Sequence, residues 1–193
     1  MRPCLDPLLR VNGLFCSKVR VVPSPSYLIR RARVIDGEAV LGIERVAASR
    51  FASIGMHDIA NGVGLSKLHY DRFVALGAVF LCELEAQPVG FVAACLVDDA
   101  CHIAELDVLP AHAGQRLGSR LIDAAASWAR EQGLARLTLT TFRHVPWNQP
   151  YYSRLGFVPV TLDELGSGHR AIWEGQRDMG LDMRQRLLMT RPA

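Results

Sequence analysis

The sequence predicts a single α/β (α+β) domain, a mixed sheet with helices on both faces, and three observations carry that reading. β-rich runs alternate with amphipathic helical stretches along most of the 193 residues, a length sufficient to bury a real core. Two of those runs, 78–84 and 89–97, are joined by Glu85-Ala86-Gln87-Pro88, a hairpin signal. Residues 104–160 then hold a strand, a Pro-bounded loop, a glycine-bearing helix start, a second strand and a short helix with two tyrosines.

The elements follow in order. Residues 1–26 read as an N-terminal extension, with Pro23-Ser24-Pro25-Ser26 as an extended linker, and the ordered domain spans 27–193. Tyr27 to Val34 reads as a strand. Asp36 is placed to cap a helix whose apolar positions Val40, Ile43, Ala47, Phe51 and Ile54 follow helical spacing. Residues 55–65 read as a glycine-containing loop, and a second helix runs from a Ser66 cap to a Gly77 stop. After the hairpin, Asp98-Asp99 turns the chain into a strand over 101–109. The helix beyond Gly114 sets Leu117, Leu121, Ala125 and Trp128 on one face and ends before Gly133. Residues 134–141 form a strand. Asn148 or Gln149 caps the next helix, Pro150 fits its first turn, and Gly156 ends it. Strands follow at 157–160 and 186–190, with 168–180 unassigned between them.

Composition narrows the function classes. Half the residues are hydrophobic and 21% are charged, as in a globular protein, and the net charge is only +3. The arginines are spread along the chain, which argues against a nucleic-acid partner. No apolar run approaches the roughly 18–20 residues that span a bilayer, so no membrane partner is expected. Five cysteines, odd in number and without C-x-x-C spacing, point to a reducing, cytoplasmic setting with the strand cysteines acting as small hydrophobes. The six histidines show no zinc-ligand spacing, so no metal is expected.

The chemistry concentrates in Ala113-Gly114-Gln115-Arg116-Leu117-Gly118-Ser119. A helix N-terminus leaves its first backbone N–H groups without partners and carries about half a positive charge, so it suits a phosphate. Gly114, Gly118 and Ser119 let that backbone come close to one. No G-x-x-x-x-G-K-[ST] or G-x-G-x-x-G is present, which removes the nucleotide-binding alternatives of those types.

In its context this stretch resembles the GNAT N-acetyltransferase superfamily, as a bacterial-type single-domain member. The signature loop of that family is Gln/Arg-x-x-Gly-x-Gly/Ala. Leu106-Asp107-Val108-Leu109-Pro110 stands where the family has its acyl-carrier strand, and Tyr152-Ser153-Arg154-Leu155-Gly156-Phe157 matches its Tyr-x-x-x-Gly-Phe element. Ala113 departs from the usual Gln or Arg, and Arg116 from the first Gly. The Ala removes a side-chain contact, whereas the Arg adds a cation and demands a conformation compatible with a Cβ. The resemblance implies a GNAT-like, mostly antiparallel central sheet. It also implies acetyl-CoA as the acyl-donor cosubstrate, held by Leu106, Val108, the residues 113–119 and Asn148.

The implied reaction is direct attack of a primary amine on the thioester within a ternary complex. The amine must lose a proton, the oxyanion needs donors, and the leaving thiolate gains from a proton. By resemblance Tyr152 is the general acid and a backbone N–H near Val108 polarises the carbonyl. Glu105, on the carrier strand beside the reaction point, is the leading base candidate, directly or through a water, with His102 and Asp107 as alternates. Tyr151 reads as packing, and His144 and Trp147 as shaping the loop or lining the acceptor site. Ser119 is no nucleophile, lacking a G-x-S-x-G context. The acceptor is a small-molecule or protein amine. The segments that would build its site, 55–65 and 166–180 with Trp173, carry no readable pattern. A homodimer is left open, and a non-catalytic acyl-CoA-binding module is the competing reading.

Overall fold

The computed structural model describes residues 26–62 and 64–193; apart from Ser26, the expected N-terminal extension lies outside the described residues. Seven strands form one sheet: β1 (Tyr27–Arg31), β2 (Val79–Leu84), β3 (Gln87–Val97), β4 (Ala100–Val108), β5 (Arg136–Phe142), β6 (Val158–Val160) and β7 (Arg186–Pro192). Their order across the sheet is β1-β2-β3-β4-β5-β7-β6. Only β4 and β5 run parallel; every other pair is antiparallel. The helices are α1 (Gly37–Ala48), α2 (His57–Ala60), α3 (Lys67–Ala75), α4 (Leu117–Glu131), α5 (Gln149–Arg154) and α6 (Ser167–Asp178).

Alternation along β3 builds two cores at once. Val92 and Ala94 join the cluster under α4, with Leu117, Leu121, Ala125, Trp128, Leu137 and Leu139. Phe91 and Ala93 join Val40, Ile43 and Tyr70 of α1 and α3 on the opposite face. Successive side chains of a strand point to opposite faces, so a strand apolar at every position needs cover on both. The hairpin turn is tighter than its sequence signal, because Glu85 and Ala86 both take positive φ (51° and 62°) and β3 already starts at Gln87.

Three expectations are corrected, and one unassigned stretch gains a structure. The first strand stops at Arg31, and Val34–Asp36 is a 3-10 turn. The stretch expected as a loop at 55–65 contains α2, and the unassigned stretch at 168–180 is mostly α6. Asp36 stands at the N-cap position of α1, but its carboxylate caps nothing there. It accepts instead from Arg30 (2.7 and 2.9 Å) and from the Arg33 N–H (2.7 Å), while Arg30 also reaches Glu83 at 2.5 Å. An arginine fork on β1 out-competes a bare helix end for a carboxylate, because both partners are charged.

A second polar network ties α6 to the sheet. Asp98, in the β3–β4 turn, accepts from the Gly168 and His169 N–H groups (3.0 and 3.1 Å) and bonds His169 Nδ1 at 2.8 Å. His169 Nε2 meets Thr138 Oγ1 at 2.9 Å, which meets His102 Nδ1 at 3.0 Å. A Cβ at Gly166, the N-cap of α6, would run into the Asp98 carboxylate, so glycine there admits the cap from outside.

The Arg30 fork holds the Asp36 carboxyl below its ordinary pKa. A depressed folded-state pKa adds stability that is present above the unfolded value, about 3.9, and lost as pH falls through the folded one. Asp36→Asn is expected to lower Tm at pH 7, with the gap to the parent protein narrowing as pH falls below about 4; thermal melts across that range measure it, and a gap independent of pH contradicts the assignment.

Candidate active site

The parallel contact between β4 and β5 is brief. Cys101, His102 and Ile103 pair with Leu137, Thr138 and Leu139, and beyond them the two strands have no further partners in each other. The parting coincides with a β-bulge: Ala94 opposes Ile103 and Ala93 opposes Glu105, so Ala104 is the extra residue on β4. A bulge bends its strand and adds twist. The result is an opening between β4 and β5 along Glu105–Val108.

The backbone facing that opening follows from the ladder. Leu109 donates to Val89 O at 2.9 Å, while Gly90 stands opposite Val108. Hydrogen-bonded and non-bonded pairs alternate in antiparallel strands. The N–H and C=O groups of Val108 and Leu106 therefore point away from β3, into the gap. Their side chains pack in the α4 core, which sends Glu105 and Asp107 to the α1 face.

At the mouth of this opening lies the loop before α4. Gly114 takes φ 78°, and Arg116, the N-cap residue, takes φ 56° and ψ 22°. Arg116 thus adopts the left-handed conformation that glycine favours, where the sequence reading expects a conformation suited to a Cβ. Among the described residues, the N–H groups of Gly114, Gln115, Arg116, Leu117, Gly118 and Ser119 find no acceptor in the fold. Ala113 differs, since its N–H is taken by Pro110 O at 3.1 Å. Gly118 also makes room for a neighbour: a Cβ there would overlap the Tyr151 hydroxyl.

α5 brings the tyrosines to the far side of the gap. Asn148 anchors it, donating to Thr141 Oγ1 at 2.8 Å while its carbonyl receives the N–H groups of Tyr151 and Tyr152 (2.9 and 3.0 Å). Asn148 occupies the N-cap position without side-chain capping. Tyr152 packs edge-on against Tyr151 and Phe157, with centroids 5.3 and 5.8 Å apart.

Electrostatics make Glu105, Asp107, Tyr152 and Arg186 one unit. Desolvation, followed by the nearby Glu44, pushes the Glu105 carboxyl up to about 7. Asp107 also rises, through burial and the charge of Glu105. Burial raises Tyr152 and the two carboxylates add to it, so its hydroxyl stays protonated at neutral pH. Arg186, buried at the start of β7, is lowered to about 10 by desolvation while Glu105 opposes the fall. Its Nη2 bonds Thr140 Oγ1 (3.1 Å) and Gln176 Oε1 (3.2 Å), which fixes it under the carboxylates.

The other sequence candidates separate. His102 is turned inward, bonded to Thr138 and lowered to about 3 by burial, which leaves it neutral and away from the opening. Trp147 lies in the site, under the Arg50 guanidinium at 4.0 Å and beside Phe51 at 5.6 Å. Arg186, Arg50 and Glu44 gave no signal in the sequence, because β7, the turn after α1 and α1 itself meet β4 only through the fold. Among the described residues no group of three or more His, Cys, Asp or Glu could hold a metal ion, and no helix is long and apolar enough to cross a membrane.

Arg116→Gly relieves a left-handed backbone that costs about 1–2 kcal/mol, against about 0.4–1 kcal/mol of added unfolded-state entropy. A net gain on the order of 0.5–1 kcal/mol is expected in denaturant unfolding; a loss would mean that the arginine side chain itself holds the loop.

A family model described as the acetyltransferase (GNAT) family matches residues 53–157. Solved structures share the fold at low identity. The PaiA N-acetyltransferase from Thermoplasma acidophilum, in complex with coenzyme A, aligns at 13% identity and TM-score 0.62, over 87% of this chain and 99% of that one. The N-acetylglutamate synthase of Neisseria gonorrhoeae, complexed with coenzyme A and N-acetyl-glutamate, aligns at 20% identity and TM-score 0.65, over 88% of this chain but 35% of its own. A ribosomal-protein alanine N-acetyltransferase from Escherichia coli aligns at 17% identity and TM-score 0.59, over 86% and 94%. With the family model covering more than half of the sequence, the chain belongs to the acetyltransferase (GNAT) family.

Proposed function

We propose that this protein transfers an acetyl group from acetyl-CoA to a primary amine, by direct attack within a ternary complex. The observation that carries the reading is the row of N–H groups from Gly114 to Ser119 without acceptors among the described residues, at the mouth of the β4–β5 opening. Such a row at the start of a fifteen-residue helix suits a pyrophosphate. The coenzyme A complexes among the structural neighbours support the same donor.

In this reading residues 114–119 hold the pyrophosphate, with the Arg116 guanidinium as an added cation. The backbone groups of Leu106 and Val108 line the acyl arm in the opening, and Asn148 fixes the α5 side of it. The Val108 N–H donates to the thioester oxygen, a donor worth about 3–4 kcal/mol in the transition state. Glu105, raised toward neutrality, accepts the proton of the attacking ammonium. Tyr152, protonated and carried on α5 beside the carboxylates, donates to the departing sulfur. Arg186 and Asp107 set the charge around Glu105 without entering the chemistry.

Three outcomes follow from these roles. Acetyl-CoA at about a hundred times its Kd should stabilise the fold by roughly 2.7 kcal/mol, read as a rise in Tm; no rise removes the donor assignment. Tyr152→Phe should lower kcat on the order of 100-fold with that Tm rise intact, and unchanged turnover rejects the acid role. A base acts when deprotonated, so kcat/KM should climb as pH rises through about 7. Glu105→Gln should abolish that climb; a profile like the parent's assigns the base elsewhere. A Tm rise with background turnover over a broad amine panel would favour a non-catalytic acyl-CoA-binding module.

A further inference from the structure

Several polar groups of the site have no partner among the described residues, and their signs are informative. Among the described residues, Asp107 Oδ2, Trp147 Nε1 and Arg186 Nε are buried with no hydrogen-bond partner. Arg186 is only 9% exposed, so its free Nε sits inside the protein. The Arg50 guanidinium lies 4.0 Å above the Trp147 ring, and among the described residues it takes part in no hydrogen bond or ion pair. Buried donors and acceptors are normally satisfied, and each orphan is destabilising unless a bound molecule completes it.

These groups surround one place. Phe51 touches Trp147 and Phe142, both at 5.6 Å between centroids, and Arg186 stacks on Phe142 at 4.5 Å. That chain of contacts runs from Arg50 to Arg186 and flanks the Glu105–Asp107 pair. The charge of Arg50 acts on Asp107, and that of Arg186 on Glu105. A carboxylate pair thus stands between two guanidiniums, each with N–H groups to spare.

A ligand that fits must supply a donor for Asp107 and an acceptor for Arg50, Trp147 and Arg186. An amine without an anion supplies only the first, and it leaves the N–H groups of Arg50, Trp147 and Arg186 without an acceptor. An amine with a neighbouring carboxylate supplies both. Arg50, oriented by its stack on Trp147, presents the planar fork that matches a carboxylate.

We infer that the acceptor is a free α-amino acid, its ammonium on Asp107 and its carboxylate on Arg50 with Trp147 Nε1. The assignment rests on the acetyl-transfer reading above. It deepens that reading by naming the substrate class.

The test compares three relatives of each of several amino acids: the free acid, its α-carboxamide, and the amine left by decarboxylation. The carboxamide imitates a peptide N-terminus. Thiol release from acetyl-CoA is followed after a Tm rise with acetyl-CoA has been checked on the same preparation. Expected is a kcat/KM at least about tenfold higher for the free acid than for either relative. In Arg50→Gln that ratio should fall toward one through KM, and Arg50→Lys should restore part of it. Arg50 is exposed, so both variants are expected to keep the parent Tm. Equal rates within each set, preference for the carboxamide or the amine, or no turnover of any amino acid overturns the acceptor class while the Tm rise keeps the donor site. Absence of the Tm rise overturns both.

Discussion

Everything at this site depends on a parallel strand pair that closes for three residues and then comes apart. A sheet normally fills its hydrogen-bonding edges, and an unfilled edge inside a fold is expensive. Here the single extra residue at Ala104 turns β4 away from β5 just where their pairing ends. In the proposed reading the freed backbone of Leu106 and Val108 is the docking edge for an extended ligand, much as a peptide adds a strand to a sheet. The same bend decides which way Glu105 and Asp107 face, and the α4 loop stands at the end of the gap. The positions of the α4 loop, the unpaired β4 edge and the two carboxylates therefore follow from one irregularity.

The charge arrangement answers a conflicting demand. A base that deprotonates an ammonium near neutral pH needs a carboxyl with a raised pKa, and burial beside other carboxylates supplies that. Left alone, Glu44, Glu105 and Asp107 would repel one another and loosen the face of the sheet. Arg186 limits this from below, held by Thr140 and Gln176 so that it cannot swing out to solvent. Its own pKa falls to about 10 through burial, which still leaves it charged. The site thus keeps a perturbed carboxyl without a net burden of negative charge.

The helix and loop of the proposed donor half are legible in the sequence because their features are local. The spacing of Leu117, Leu121, Ala125 and Trp128 marks the helix, and the glycines mark its approach. The proposed acceptor half draws on Arg50 after α1, Trp147 before α5 and Arg186 on β7, residues that meet only once the sheet order is known. The bulge at Ala104 has no signature either, since alanine is unremarkable in a strand. α6 escaped notice for a different reason: its exposed face is polar and its N-terminal cap, Asp98, comes from a distant turn rather than from the residue before it. The Arg116 backbone shows the limit of steric reasoning, because a loop over-determined by its neighbours can hold an arginine where glycine is easier.

The capping of α6 by Asp98 bears on motion as well as on architecture. α6 supplies Gln176, which steadies Arg186, yet His169 is its only buried residue. A helix with so little apolar anchorage detaches at a small fraction of the global unfolding free energy unless polar ties hold it. Its ties run from Asp98 through His169 and Thr138 to His102. The amides of α6 should consequently exchange with solvent as one cooperative unit, ahead of those of α4. In the proposed reading the floor of the acceptor side would then open independently of the sheet, giving a bulky side chain a way in that leaves the donor loop undisturbed.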